Sequence, residues 1–344
     1  MAGRFPTLLT LTAVIVLAAA PASATTVSRE VDYDPSLDEL SAEVSVASVS
    51  READDFVVTR DERRLIFASR PHGRLLAGEG CKRHGERVVT CSRDHLTAIY
   101  INGAAGDDRV HVKLPRWRYV DLQVFGGAGD DELVIQGPDA LIFGEGGDDL
   151  LVGGMGRDRL MGGGGRDRLR GREGEDALGG DGITAERGQP AADDRLDGGP
   201  GRDFATWGVW GTATAGVDAD LAAGTGGRAG ERDLLHSIEG LQGGDGPDVL
   251  RGDSGPNVLL GSAGRDRLFG RAGDDHLDLG GVEDDPIFYE SSFGSDGVAD
   301  RASCGAGSDA VRGTDDADVV AGDCETTSSK QSHAAAPMRS HASS

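Results

Sequence analysis

From Gly144 to Gly179 the chain repeats one line of hydrophobic and polar positions four times: GEGGDDLLV, GGMGRDRLM, GGGGRDRLR and GREGEDALG. Gly stands at positions one and four, an acid at six and a leucine at eight, namely Leu151, Leu160, Leu169 and Leu178. Glycine accepts positive φ without a side-chain penalty, so the first four positions predict a tight turn. The three residues after the acid predict a short strand with one side chain pointing inward. A nonapeptide cannot bury its single Leu alone. The units must therefore stack into a solenoid whose leucines form a continuous narrow core.

The nine-residue frame runs from Gly126 through Thr206 and returns from Gly243 to Asp278 as GGDGPDVLR, GDSGPNVLL, GSAGRDRLF and GRAGDDHLD. Composition agrees: Gly accounts for 55 of 344 residues and aromatics for only 5%, too few for a thick aromatic core. The formal net charge of -24 argues against nucleic acid and anionic membrane surfaces and for bound cations, because the acids fall at fixed positions of a repeat.

Residues 126–206 and 243–278 resemble the hemolysin-type (RTX) calcium-binding β-roll family. The resemblance implies an all-β fold, a right-handed parallel β-roll or β-solenoid in which two nonapeptides make one coil and alternate repeats share a side. It also implies calcium ions between successive turns, held by the position-six side chains Asp131, Asp149, Asp158, Asp167, Asp176, Asp194, Asp248, Asn257, Asp266 and Asp275. Backbone carbonyls near Gly144, Gly153, Gly162, Gly171, Gly243, Gly252, Gly261 and Gly270 complete the implied set. Oxygen ligands on flexible loops suit calcium better than magnesium. With alternate repeats on one side, the expected pairs are 131 with 149, 149 with 167, 158 with 176, 176 with 194, 248 with 266 and 257 with 275. Ala140 and Ala185 should interrupt the series, and Asn257, a neutral ligand, should make a weaker site.

The rest of the chain is read around these arrays. Residues 1–24 have a secretory signal pattern: Arg4, an apolar run from Thr7 to Ala20, and Ala22-Ser23-Ala24 as cleavage site. That run is short for a membrane span, so the expected address is extracellular. Residues 25–54 read as a linker or leader, and 55–125 as a strand-rich N-terminal cap or first coils. Within the latter, GAAGDDRVH has the repeat form but lies 23 residues before Gly126, which favours a capping coil over a filled site. Residues 207–242 read as a junction, 279–325 as degenerate closing coils and 326–344 as a disordered tail. Cys81 and Cys91 bracket a hairpin-like GERVV, and Cys304 and Cys324 bracket the last repeats. An even count in an exported chain favours disulfides, and these local pairs are one of three connectivities.

Strings that suggest other chemistry have ordinary explanations. Arg251-Gly252-Asp253 and the GDSGP of 252–256 fall within the array frame, and the chain has no HExxH or GxSxG. The expected function is therefore a secreted calcium-binding protein that folds on binding, with a structural or interaction role and no catalytic machinery. A cell-surface or matrix partner is compatible with it. The alternative is a secreted hydrolase or lyase with the repeats as an accessory module.

Overall fold

The structure is a computed structural model, which describes residues 25–34, 39–48, 53–61, 63–69, 75–114, 120–137, 139–181, 192–207, 215–279, 299–314 and 318–329. These residues form strands, turns and no helix. The strands make two sheets, of fourteen and sixteen members, and consecutive repeats alternate between them. Along the arrays the neighbours within a sheet are parallel and lie one coil apart. Leu141 pairs with Arg159 in one sheet and Leu150 with Arg168 in the other, an offset of two nonapeptides. The fold is a parallel β-roll, as expected.

Position eight builds the core. Leu151, Leu160, Leu169, Leu178 and Leu196 are at most 1% exposed, and Leu241, Leu250, Leu259, Leu268 and Leu277 continue the column through the second array. Each strand offers only one such side chain, so the core is one residue deep from each wall. Toward the N-terminus larger residues fill it, among them Phe56, Phe67, Ile99 and Ile101. There the strands turn antiparallel: Asp55–Arg60 pairs with Arg64–Ser69, which pairs with Val88–Ser92, which pairs with Cys81–His84. Cys81 and Cys91 face each other across that last hairpin and are disulfide-bonded, as are Cys304 and Cys324 at the other end.

Four features depart from the sequence reading. Residues 25–54, read as a leader, contain the hairpin Thr25–Asp34 with Glu39–Ser48, whose second strand adds in parallel to Leu96–Ala105. Val27, Val44 and Val46 enter the core. The start of the supposed tail is the strand Thr326–Ser329, paired with Ala310–Thr314. The frame between 126 and 206 also slips. Leu169 pairs with Leu196 and Leu178 with Ala205, 27 residues apart rather than 18, so nine residues are inserted between these rungs. Ala185 falls outside the described residues, as do the signal segment 1–24 and residues 330–344.

The fourth departure is the junction. In the fourteen-strand sheet Phe204–Thr206 pairs directly with Gly240–Gln242, without a gap. In the sixteen-strand sheet the meander Asp218–Asp220, Thr225–Gly226 and Asp233–His236 is antiparallel and sits between Arg195–Asp197 and Val249–Arg251. One wall thus carries two strands that the other lacks, about 10 Å of extra width. Trp207, 3% exposed, fills space there, its ring tip packing where a Cβ on Gly226 would stand.

A column one leucine deep should be sensitive to truncation. Leu169→Ala is expected to cost about 2–5 kcal/mol, whereas Met155→Ala, on the surface, should stay within about 0.5 kcal/mol. Urea unfolding monitored by circular dichroism measures both, and equal midpoints would contradict the core assignment.

Candidate metal centre

The position-six acid ends each turn and begins each strand, and its two oxygens have different fates. In the row beside the sixteen-strand sheet, Asp131 Oδ1 accepts the backbone N–H of Asp108, Asp149 Oδ1 that of Asp131, Asp167 Oδ1 that of Asp149, and Asp194 Oδ1 that of Asp167, at 2.7–2.8 Å. Asp233 continues the row at 3.0 Å. Beside the fourteen-strand sheet, Asp158, Asp176 and Asp203 accept from residues 140, 158 and 176 in the same way. The second array repeats this with Asp248 and Asp266 in one row and Asp275 and Asp309 in the other. Asn257 donates its N–H to Asp275 but links back to Glu239 only through its amide.

The other oxygen is turned inward. Oδ2 of Asp108, Asp131, Asp149, Asp167, Asp176, Asp194, Asp203, Asp275 and Asp309 is buried without a hydrogen-bond partner. Except at Asp309, it points to the space above a glycine, and at Gly103, Gly126, Gly144, Gly162, Gly198 and Gly270 a backbone carbonyl of the next rung also arrives there. A Cβ on Gly144 would run into Asp149 Oδ2 and lie 2.5 Å from the carbonyl oxygen of Gly162, and one on Gly162 would do the same to Asp167 and to the carbonyl of Gly180. A carboxylate oxygen and a carbonyl oxygen meeting in a hole the size of a methyl group form a cradle for a hard cation. A buried anionic oxygen without a partner is otherwise costly.

Not every turn leaves its oxygen open, and in the regular nonapeptides the conformation at position two goes with the difference. Glu145, Gly163, Arg172, Gly199 and Arg271 have φ of +75°, +117°, +78°, +104° and +77°, and Oδ2 is unpartnered in each of those turns. Gly154, Gly244 and Asp253 are not in the left-handed region. Their N–H groups point back and donate to Asp158 Oδ2, Asp248 Oδ2 and Asn257 Oδ1, at 2.5, 2.8 and 2.7 Å. Each of these closed turns stands where its row has no regular repeat turn on the preceding rung. Left-handed conformations cost a non-glycine residue about 1–2 kcal/mol, so Glu145, Arg172 and Arg271 are strained at the positions that keep the oxygen open.

Burial, opposed by the accepted N–H and reinforced by neighbouring carboxylates, pushes Asp108, Asp131, Asp149, Asp167, Asp176 and Asp203 up to about 7, and Asp194 up to about 9. Burial raises the acids of closed turns too, Asp158 and Asp248 both to about 7. Asp233 is raised less, to about 6, with the Trp207 indole N–H donating to its Oδ2 at 2.9 Å. This indole occupies the oxygen left open in the rungs before it, and so ends the row.

The structure brings the sequence-expected acids together in rows but changes some partners. Asp194 stacks on Asp167 and Asp203 on Asp176, so 176 with 194 is not a pair; the nine-residue insertion moves each to the opposite side. Asp108, read as part of a capping coil, is fully buried in the row, with Gly103 forming the same cradle against the carbonyl of Gly126. Its signal was the nonapeptide GAAGDDRVH with Val110 at position eight. Asp309 joins the far end of the other row, with Cys304 in place of a position-one glycine.

A family model described as the RTX calcium-binding nonapeptide repeat, in 4 copies, matches residues 141–160, 152–182, 191–205, 242–277 and 251–284. No curated protein matches the chain. The matched segments cover most of the rungs in which acid, glycine and carbonyl converge, and they match the RTX calcium-binding nonapeptide repeat.

Proposed function

We propose that this is a secreted calcium-binding protein whose rows of turns order when the ion binds, in a structural or interaction role without catalysis. The observation that carries this reading is the set of buried carboxylate oxygens without partners, most of them facing a backbone carbonyl of the next rung. Asp131, Asp149, Asp167, Asp176, Asp194 and Asp275 are the ligands expected from the sequence whose oxygens stand open, and Asp108, Asp203 and Asp309 join them. Asp266 is buried in the row of Asp248, with Ser262 at φ +72° in its turn. Asp158, Asp248 and Asn257 are weaker ligands, because a backbone N–H already holds the oxygen that would face the ion.

Calcium supplies positive charge between successive turns and neutralises the stacked carboxylates. The chain's own residues do the rest. Each Oδ1 fixes the spacing of two rungs, the position-one glycine keeps the cradle empty of carbon, and the position-two residue turns its N–H away. Without neutralisation the rows repel, and a glycine-rich chain has much entropy to lose on ordering. Two disulfides, one at each end, are compatible with an oxidising compartment. No helix among the described residues is long and apolar enough to cross a membrane.

Calorimetric titration of chelator-treated protein, with circular dichroism, tests the reading. Strand signal should rise with ion uptake at a dissociation constant of about 0.1–1 mM, the range of extracellular modules. A chelated protein as ordered and heat-stable as the loaded one would refute coupled folding. Asp167→Asn should remove measurable uptake from the first array, whereas Asp158→Asn should leave most of it; equal losses would contradict the distinction between open and closed turns.

The raised carboxyl pKa values give a second expectation with a definite sign. Folded values near 7 exceed the unfolded value near 3.8, so between these limits the folded state binds more protons and its stability falls as pH rises. Chelated protein should therefore have a higher melting temperature at pH 5.5 than at pH 8. In calcium the advantage should shrink or reverse, since protons and the ion compete for the same oxygens.

A further inference from the structure

Several arginines are paired with acids: Arg109 with Glu132 at 3.4 Å, Arg157 with Glu175 at 2.6 Å and Arg271 with Asp220 at 2.6 Å. Of those on the sixteen-strand side that are not, four share one groove. Arg166, Arg168, Arg195 and Arg232 are exposed, have no side-chain partner among the described residues, and line one groove of about 740 Å³. Arg168 and Arg195 lie directly opposite each other on neighbouring parallel strands. Like charges in register repel, and in a chain with 59 acids and 35 lysines and arginines counter-ions are abundant. Two exposed acids share the groove without an ion pair to these arginines: one oxygen of Asp148 accepts the backbone N–H of Arg166, and one of Asp193 that of Arg232, at 2.9 and 2.8 Å. Leu150 and Leu234, the latter 47% exposed, stand at the two ends of the same column of strands.

We propose that this groove binds an anionic oligosaccharide carrying carboxylate or sulfate groups on successive sugars. Guanidinium forks match such oxyanions bidentately, and stacked rungs present one fork after another along a line about 4.8 Å apart. The aliphatic ends suit the C–H faces of sugar rings. An acidic peptide fits less well, since the strands beneath are already paired on both sides and offer no main-chain partners. Single-stranded nucleic acid would need aromatic platforms, and the groove has none. Asp149, Asp167 and Asp194 form the floor. The inference therefore rests on the calcium reading: with those carboxylates ionised and unneutralised, the groove would repel an anion.

The test is calorimetry of the full, calcium-loaded chain with a galacturonate tetrasaccharide, a sulfated heparin-type tetrasaccharide and neutral maltotetraose. Binding of one or both anionic probes and not of the neutral one is expected, the two anionic arms separating carboxylate from sulfate. The double substitution R168Q/R195Q should weaken it by about tenfold or more, the loss of charge-assisted hydrogen bonds. R157Q, which removes a paired arginine, should leave it unchanged. Equal binding of maltotetraose, no binding of either anion, or an unaffected R168Q/R195Q protein would overturn the proposal. Calcium uptake of every variant is measured without sugar. Normal uptake without sugar binding overturns the groove alone, whereas failed uptake overturns the calcium reading whatever the sugar does.

Discussion

Rung spacing in this protein is fixed by one short hydrogen bond, from the backbone N–H of a position-six residue to the carboxylate of the acid on the next rung. Aspartate is short enough to stay within the turn while reaching one rung away, and the bond uses only one of its oxygens. The surplus oxygen must go somewhere, and the geometry sends it inward over a residue that cannot carry a Cβ. From that follow the glycine at position one, the buried unpartnered charge and the demand for a cation. The leucine column is arranged by the same bond, because the acid fixes where each strand begins.

The position-two peptide adds a second layer to this constraint. Turned one way, its N–H satisfies the acid and closes the turn; turned the other, it leaves the oxygen exposed to the cradle. Regular stacking on a preceding turn goes with the open form even where the residue is Glu or Arg. The closed form marks the starts at Asp158, Asp248 and Asn257 but not the one at Asp108, where Ala104 is at φ +77°, and at Asp233 an indole ends the row.

Much of this was legible in the sequence because period nine with Gly, Asp and Leu at fixed places admits few folds. The misreadings have physical causes. An insertion of nine residues before Asp194 preserves the nonapeptide count while exchanging the two walls, so counting by nine could not detect it. Residues 25–54 looked like a leader because polar residues alternate with Val44 and Val46 on a strand with only one buried face. The gap of 23 residues hides Asp108 from a count by nine, yet both walls pair at that offset and the rung lands in place. Conformation at position two left no trace in residue type, since Glu, Arg, Ser and Gly all occupy the open form.

The junction between residues 207 and 242 carries its own lesson. A three-strand meander enters one wall while the strands of the opposite wall pair straight past it. Half of the scaffold can therefore accept foreign sequence while the other half preserves alignment between the flanking coils. Solenoids of this design are open to grafting, by evolution or by a protein engineer, along one seam at a time.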